Sequence, residues 1–248
     1  MVLKKSLEKN CTVLDLLVTL NFLQHYPLEM YGAMFWRMLY WKYRYIEKLQ
    51  YLFHFDFDVR FAQAASSGMF EEVLSIVDAM EFKIEKPEGW QQQKVFYSNK
   101  KKIHGLKYQV IVRINDGQII HVSEGYPCSV HDKKLWDSWL NDYKDELLSS
   151  EVVAADKGYQ GALRCYTLYK ASKGLSLIKS QKQFNFRFGQ CRCLVEQSIG
   201  RIKKFRIAKD VWCHSLAKHC MVVHVLCGLV NESLQEDPFQ KANNYLYK

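Results

Sequence analysis

Apolar residues recur along this chain first at helical spacing and then at strand spacing. Leu14, Leu17, Leu20 and Leu23 predict an amphipathic helix near residues 12–25, ended by Pro27. Residues 33–55 are dense in aromatics, among them Phe35, Trp36, Tyr40, Trp41, Tyr43 and Tyr45, with Arg37, Lys42, Arg44 and Lys48 between them. Such a stretch reads either as a small helical DNA-binding unit or as a helical packing layer with snorkelling basic residues. Ala65-Ser66-Ser67-Gly68 marks a boundary, giving a helical region over 1–68 and a larger domain over 69–248.

Beyond that boundary the pattern is strand-like. Val73–Glu81 is a first strand, and 86–96, with Pro87 and Gly89, reads as a loop. Leu106, Tyr108, Val110, Val112 and Ile114 alternate on one face of a second strand, Asp116-Gly117 predicts a hairpin, and Gln118–Ser123 returns until Pro127 stops it. Ser129-Val130-His131-Asp132 fits a capping box with Ser129 as N-cap. Trp136, Trp139, Leu140 and Tyr143 then form a helical stripe that belongs to a core. Val152–Ala155 is a buried strand stopped by Asp156 and Gly158. A short helix near 161–171, a last strand over 174–178, a long helix from Ser180 to about 207 and a final helix over 216–234 complete the series. Antiparallel strands followed by alternating strands and helices predict an α/β fold, a ribonuclease-H-like mixed sheet with flanking helices.

Composition narrows the partner. The chain has 248 residues, 48% of them hydrophobic and 25% charged, which is globular composition, and a net charge of +9 that favours a polyanion. The excess is +2 over residues 1–68 and +7 over 69–248, so the polyanion is expected on the larger domain. The eight cysteines form no C-x-x-C pair and read as free thiols. The most apolar stretches, Val13–Leu23 and Met221–Val230, are too short to span a bilayer, so no membrane partner is expected.

Three carboxylates then stand out. Asp78 and Asp156 each follow an apolar strand, and Glu196 lies in a helical stretch rich in Arg and Lys. Each alone reads as a cap, a turn or an i,i−4 ion pair with Arg192. Brought together by the expected sheet, they would hold two divalent ions for phosphodiester hydrolysis, since magnesium prefers carboxylate oxygen. Two basic runs flank them: Lys100-Lys101-Lys102 with Lys107, and Arg192, Arg201, Lys203, Lys204 and Arg206, which would hold phosphates.

These stretches resemble the PIF/Harbinger-type DDE transposases, a family that includes a host-adopted Harbinger-derived nuclease, from about residue 70 to 235. Val77-Asp78-Ala79-Met80-Glu81 is similar to the first-aspartate motif, and Phe96–Lys102 with His104 to the lysine-rich stretch after it. Gly125–Asp132 is similar to the loop-to-helix signature, Ala155–Gly161 to the second-aspartate motif, and Arg192–Lys203 to the glutamate helix. The intervals are 78 residues from Asp78 to Asp156 and 40 from there to Glu196. The resemblance implies that Asp78, Asp156 and Glu196 are a metal-binding catalytic triad, with two Mg2+ (or Mn2+) as cofactor. It also implies double-stranded DNA as substrate, Ser129, His131 and Asp132 at the site's edge, a separate DNA-binding protein and a homo-oligomer as partners, and a nuclear location in a eukaryote or a cytoplasmic one in a bacterium. The alternatives are a catalytically silent, domesticated binding protein and a hydrolase of another nucleic acid.

The chain departs from the family at three places. Phe35–Trp41 lacks the turn residues of the family's helix-turn-helix. Cys128 and Asn99 stand where the family usually has glycine. A cysteine at a glycine position is expected to strain the backbone, and Cys128→Gly to relieve it.

Overall fold

The structure is a computed structural model that describes residues 20, 23–24, 46–47, 49–50, 53, 55–61, 72–171 and 174–239. Apart from those single positions, the helix expected over 12–25, the aromatic-rich stretch 33–55 and the boundary at 65–68 lie outside the described residues. Leu20, Leu23, Ile46 and Leu49 are helical, and the last three are buried in the main core.

Two strands of eleven residues form the centre of the sheet, β1 (Val73–Lys83) and β3 (Ile103–Arg113), and they pair antiparallel from Ser75↔Arg113 to Lys83↔Gly105. β2 (Tyr97–Ser98), β4 (Ile119–Val122) and β5 (Tyr126–Pro127) also pair antiparallel with β3. On the other side, β6 (Val152–Ala155) pairs parallel with β1, and β7 (Cys165–Tyr166) parallel with β6. This seven-stranded mixed sheet, antiparallel first and parallel after, is a ribonuclease-H-like fold.

Helices cover both faces. α2 (Asp132–Tyr143) lies on one, while the long α3 (Lys179–Ile202) and α5 (Leu216–Glu236) lie on the other. Strand parity divides the core between them. Ile76, Met80 and Phe82 of β1 and Ala154 of β6 join Leu194, Val195, Ile202, Val222 and Leu226 in the larger cluster. Val77, Val153 and Ala155 join Trp136, Trp139 and Tyr159 in the smaller one. Double coverage also buries the polar members of β3, Lys107 and Gln109, which simple alternation assigns to solvent. Arg60 ties the 3-10 segment Phe57–Phe61 to the start of β6, donating from Nε to Glu151 Oε1 at 2.9 Å.

The hairpin after β3 forms as predicted: Gly117 adopts φ 74°, and Asp116 Oδ1 accepts the Gln118 N–H. Other expectations are corrected. Residues 90–96 are helix α1 (Trp90–Phe96), not loop; α1 buries no residue, so no apolar stripe announced it. Pro127 sits inside β5 rather than after the sheet. The N-cap of α2 is His131, with Asp132 the first helical residue and no side-chain cap, so the Ser129 capping box is absent. Residues 161–171 hold β7 and no helix; a two-residue strand is too short to show a period. Residues 174–178 are not a strand, and Leu175 and Ile178 are exposed. The long helix ends at Ile202, and a separate turn, α4 (Arg206–Lys209), follows. No helix among the described residues is long and apolar enough to cross a membrane.

Candidate active site

β1 and β6 are neighbours with Val77 beside Ala155, so Asp78 and Asp156 stand side by side at the next step along the sheet. They share parity with Ile76 and Ala154, whose side chains pack on the α3 and α5 face. α3 crosses that face. It buries Cys191, Leu194, Val195, Ser198 and Ile202 and turns Arg192, Glu196, Ile199 and its C-cap Lys203, spaced by four, three and four residues, into one cavity. All three acids therefore line the same cavity, of about 940 Å3.

Arg192 joins two of them. Its Nη1 lies 3.2 Å from Asp156 Oδ1, and its Nη2 donates to Glu196 Oε1 at 3.1 Å. Asp78 is half-buried, with Oδ1 accepting the Ala79 N–H at 2.7 Å. Burial raises its pKa to about 6; the Ala79 hydrogen bond opposes the rise, the Asp156 charge adds to it, and Arg192 and Lys100 oppose it. In this conformation no group of three His, Cys, Asp or Glu side chains among the described residues is arranged to enclose a metal. The chemistry of the donors nonetheless fits a hard divalent ion. Two neighbouring carboxylates, one of them pushed toward its neutral form, concentrate negative charge that a cation would relieve, and Glu196 is held a short distance away by Arg192.

The basic residues divide into two sets. Lys100, Lys101, Lys107, Arg192 and Lys203 line the cavity, whereas Lys102, Arg201, Lys204 and Arg206 do not. Only Lys100 and Lys101 of the first set are exposed. Lys107 is buried and donates to Asp132 Oδ1 at 2.7 Å and to the Val130 carbonyl at 2.8 Å. Lys203 donates to the carbonyls of Glu81 and Ala208 and lies over the Phe82 ring. Burial, helped by the Lys101 charge and opposed by Glu81, lowers its pKa to about 7. Arg201 is bonded to Ser233 and Asp237, and Arg206 to Asp210.

Ser129, His131 and Asp132 also line the cavity. Asp132 does more than border it. A Cβ on Gly158 would stand 2.6 Å from Asp132 Oδ2, so the turn after Asp156 rests directly against this carboxylate. Through Lys107 it is tied to β3.

Glu81 was not foreseen. It is buried on the cavity wall, accepts the Ser98 hydroxyl at 2.9 Å, and faces Lys107 at 3.8 Å and Lys101 at 4.0 Å. A second acid in the largely apolar β1 was a signal, but its partner became visible only with the register Glu81↔Lys107. Trp90, Lys94, Tyr97 and His104 line the cavity too. Cys128 is buried and has no positive φ, so the strain expected there is absent; among the described residues the non-glycine positions with positive φ are Lys102 (φ 58°) and Arg164 (φ 59°), and Asn99 is not one of them. Cys128, Cys165, Cys191, Cys193, Cys220 and Cys227 are free thiols.

Residues 77–231 match the family model described as DDE superfamily endonuclease. The chain is 32% identical over 168 residues to the probable transposase for insertion sequence element IS702 of Microchaete diplosiphon, an alignment covering 66% of this chain and 58% of that protein. The chain thus matches little more than half the length of that relative. No solved structure matches it.

Proposed function

Because the chain belongs to the DDE superfamily endonuclease family, we propose that it is a divalent-metal-dependent nuclease that cuts double-stranded DNA and joins the resulting end, as a transposase. The observation that supports this best is the meeting of Asp78, Asp156 and Glu196 on one cavity with cations along its wall. Magnesium, with manganese as its substitute, would be held by Asp78, Asp156 and Glu196, and when bound it activates water and neutralises charge on the phosphodiester.

The chain's own residues supply binding and position. Lys100 and Lys101, exposed at the cavity, reach the DNA backbone as point charges. Arg192 stands between Asp156 and Glu196, where it is placed to meet a phosphate once the acids have another cation. Lys107 and Asp132 hold the Asp156 turn against β3. Lys102, Lys204, Arg201 and Arg206 lie outside the cavity and would follow the backbone further, with the two arginines weakened by the acids they already meet.

The same reading extends to the PIF/Harbinger subtype, to a DNA-recognition role for the region before residue 69, and to action as an oligomer with a separate DNA-binding protein. It places the protein in the nucleus of a eukaryote or the cytoplasm of a bacterium. A nicking assay on supercoiled plasmid tests the core of it. Cleavage that needs magnesium and vanishes in Asp156→Ala is expected. Plasmid binding with no metal-dependent cleavage would instead identify a silent binding protein.

A further inference from the structure

The proposed chemistry makes no use of Glu81, although it is buried on β1 only three residues after Asp78. Replacing a buried ion pair by well-packed apolar side chains is often neutral or stabilising, so stability alone does not account for this acid. What a buried, hydrogen-bonded charge does supply is fixed geometry, and Glu81 has partners in two directions.

One direction leads to the lysine turn. Glu81 Oε2 accepts the Ser98 hydroxyl at 2.9 Å, and Ser98 Oγ accepts the Lys101 N–H at 3.2 Å. The Ser98 carbonyl accepts the Lys102 N–H at 2.8 Å, so the turn that presents Lys100 and Lys101 closes on Ser98. Lys102 holds a left-handed backbone (φ 58°), which a side chain disfavours, and a turn of that kind needs an anchor. The other direction leads to the second aspartate. Glu81 Oε1 faces Lys107 Nζ at 3.8 Å, Lys107 donates to Asp132 Oδ1 at 2.7 Å, and Asp132 rests against Gly158, two residues after Asp156. Ser98, Glu81 and Lys107 are all buried.

We infer that Glu81 is a positioning residue with two arms. Standing on the same strand as Asp78, it sets the lysine turn through Ser98 and the Asp156 turn through Lys107 and Asp132. Phosphate-binding lysines and metal-binding acids are thereby held in one frame. This rests on the nuclease reading above and adds to it the group that aligns its two halves.

The test reads each arm by binding rather than by cleavage. The full chain is titrated with a short DNA duplex in the absence of divalent metal, and with manganese in the absence of DNA. In each arm the variant's change of charge opposes the expected effect. Glu81→Ala frees Lys101, 4.0 Å away, from a negative charge, which alone would tighten duplex binding. Loss of the anchor is expected to weaken it about fivefold instead. Glu81→Gln, whose amide oxygen can still accept the Ser98 hydroxyl, should recover part of that loss. Lys107→Met removes a positive charge near the acids, which alone would tighten manganese binding; a loss of about fivefold is expected. Ser98→Ala changes no charge. It should weaken the duplex like Glu81→Ala, leave manganese binding unchanged, and add nothing to Glu81→Ala in the double variant. Duplex binding by Glu81→Ala, or manganese binding by Lys107→Met, as tight as in the wild type or tighter overturns the positioning role and leaves the nuclease reading standing. Should those variants fail to fold, wild-type duplex affinity in Ser98→Ala overturns it in the same way. A wild-type chain that binds neither duplex nor manganese overturns both.

Discussion

Arg192→Gln should bind a divalent ion more tightly than the wild type does. The guanidinium makes two ion pairs, at 3.2 Å to Asp156 and 3.1 Å to Glu196. Any cation taken up by those carboxylates has to replace it. The side chains are 20% exposed for Arg192, 25% for Asp156 and 57% for Glu196, so screening keeps each pair near the value of a surface bridge. Two such pairs oppose metal binding by about 1 kcal/mol, which corresponds to about a fivefold gain in affinity on their removal. Loss of the positive charge also leaves Asp78, Asp156 and Glu196 repelling one another, which acts in the same direction. Calorimetric titration with manganese in the absence of DNA is the direct assay, because cleavage would mix this effect with any role of Arg192 in holding phosphate. The titration belongs well above pH 6, since Asp78 titrates at about 6 and Arg192 is one of the groups keeping that value from rising further. Unchanged or weaker manganese binding by a folded Arg192→Gln would refute the claim that this arginine competes with metal.

Gly158→Ala places a methyl 2.6 Å from Asp132 Oδ2 and must displace a carboxylate bonded to Lys107; a loss of about 1–2 kcal/mol in denaturant titrations is expected, together with reduced nicking. Cys128→Gly should destabilise by about 2 kcal/mol through lost packing and added chain entropy, contrary to the relief expected from sequence, and an unchanged or higher melting temperature would contradict this. His219 is buried against Tyr108, and burial, aided by the Lys203 charge, lowers its pKa to about 3. The unfolded chain takes up that proton below its ordinary value of 6.5, so His219 makes stability fall as pH drops from 6.5 toward 3, against a partial opposite contribution from Asp78 between 6 and 3.8. Melting temperatures of wild type and His219→Gln across that range should converge toward low pH, and parallel curves would exclude the effect.

Legibility followed the range of the forces involved. β1, the β3–β4 hairpin, the Trp136–Tyr143 stripe of α2 and most of α3 were readable because each is a local period backed by burial. α1 was not, because its inner face looks into a cavity and carries Trp90, Gln93 and Lys94 in place of apolar residues. β5 and β7 were not, because two-residue strands owe their existence to β3 and β6 and not to their own pattern. At the site, the three acids stood out as polar stops in apolar or basic stretches. The burial of Lys107 and Glu81 did not, since it depends on a strand register that pairs residues 26 positions apart. A lysine in such a stretch looks the same whether it meets solvent, like Lys100, or a buried carboxylate, like Lys107.

The face of α3 that carries Arg192, Glu196, Ile199 and Lys203 has a consequence for which changes in chain length this protein can absorb. One residue inserted ahead of Arg192 within the helix would swing everything before it by about 100° relative to everything after it. Either the acid or the whole preceding packing surface, including the buried Phe188, would then leave its place. Four residues added at the same point restore the rotation nearly in full but slide the halves apart by about 6 Å, roughly one turn. Because the arginine and the glutamate are themselves one turn apart, such a slide, with the first half held in place, puts the positive group where the negative one stood and takes the arginine away from Asp156. Length variation among relatives of this chain should therefore collect in segments such as 85–89 and 144–151. Between Lys179 and Ile202 the count of residues is as constrained as their identity.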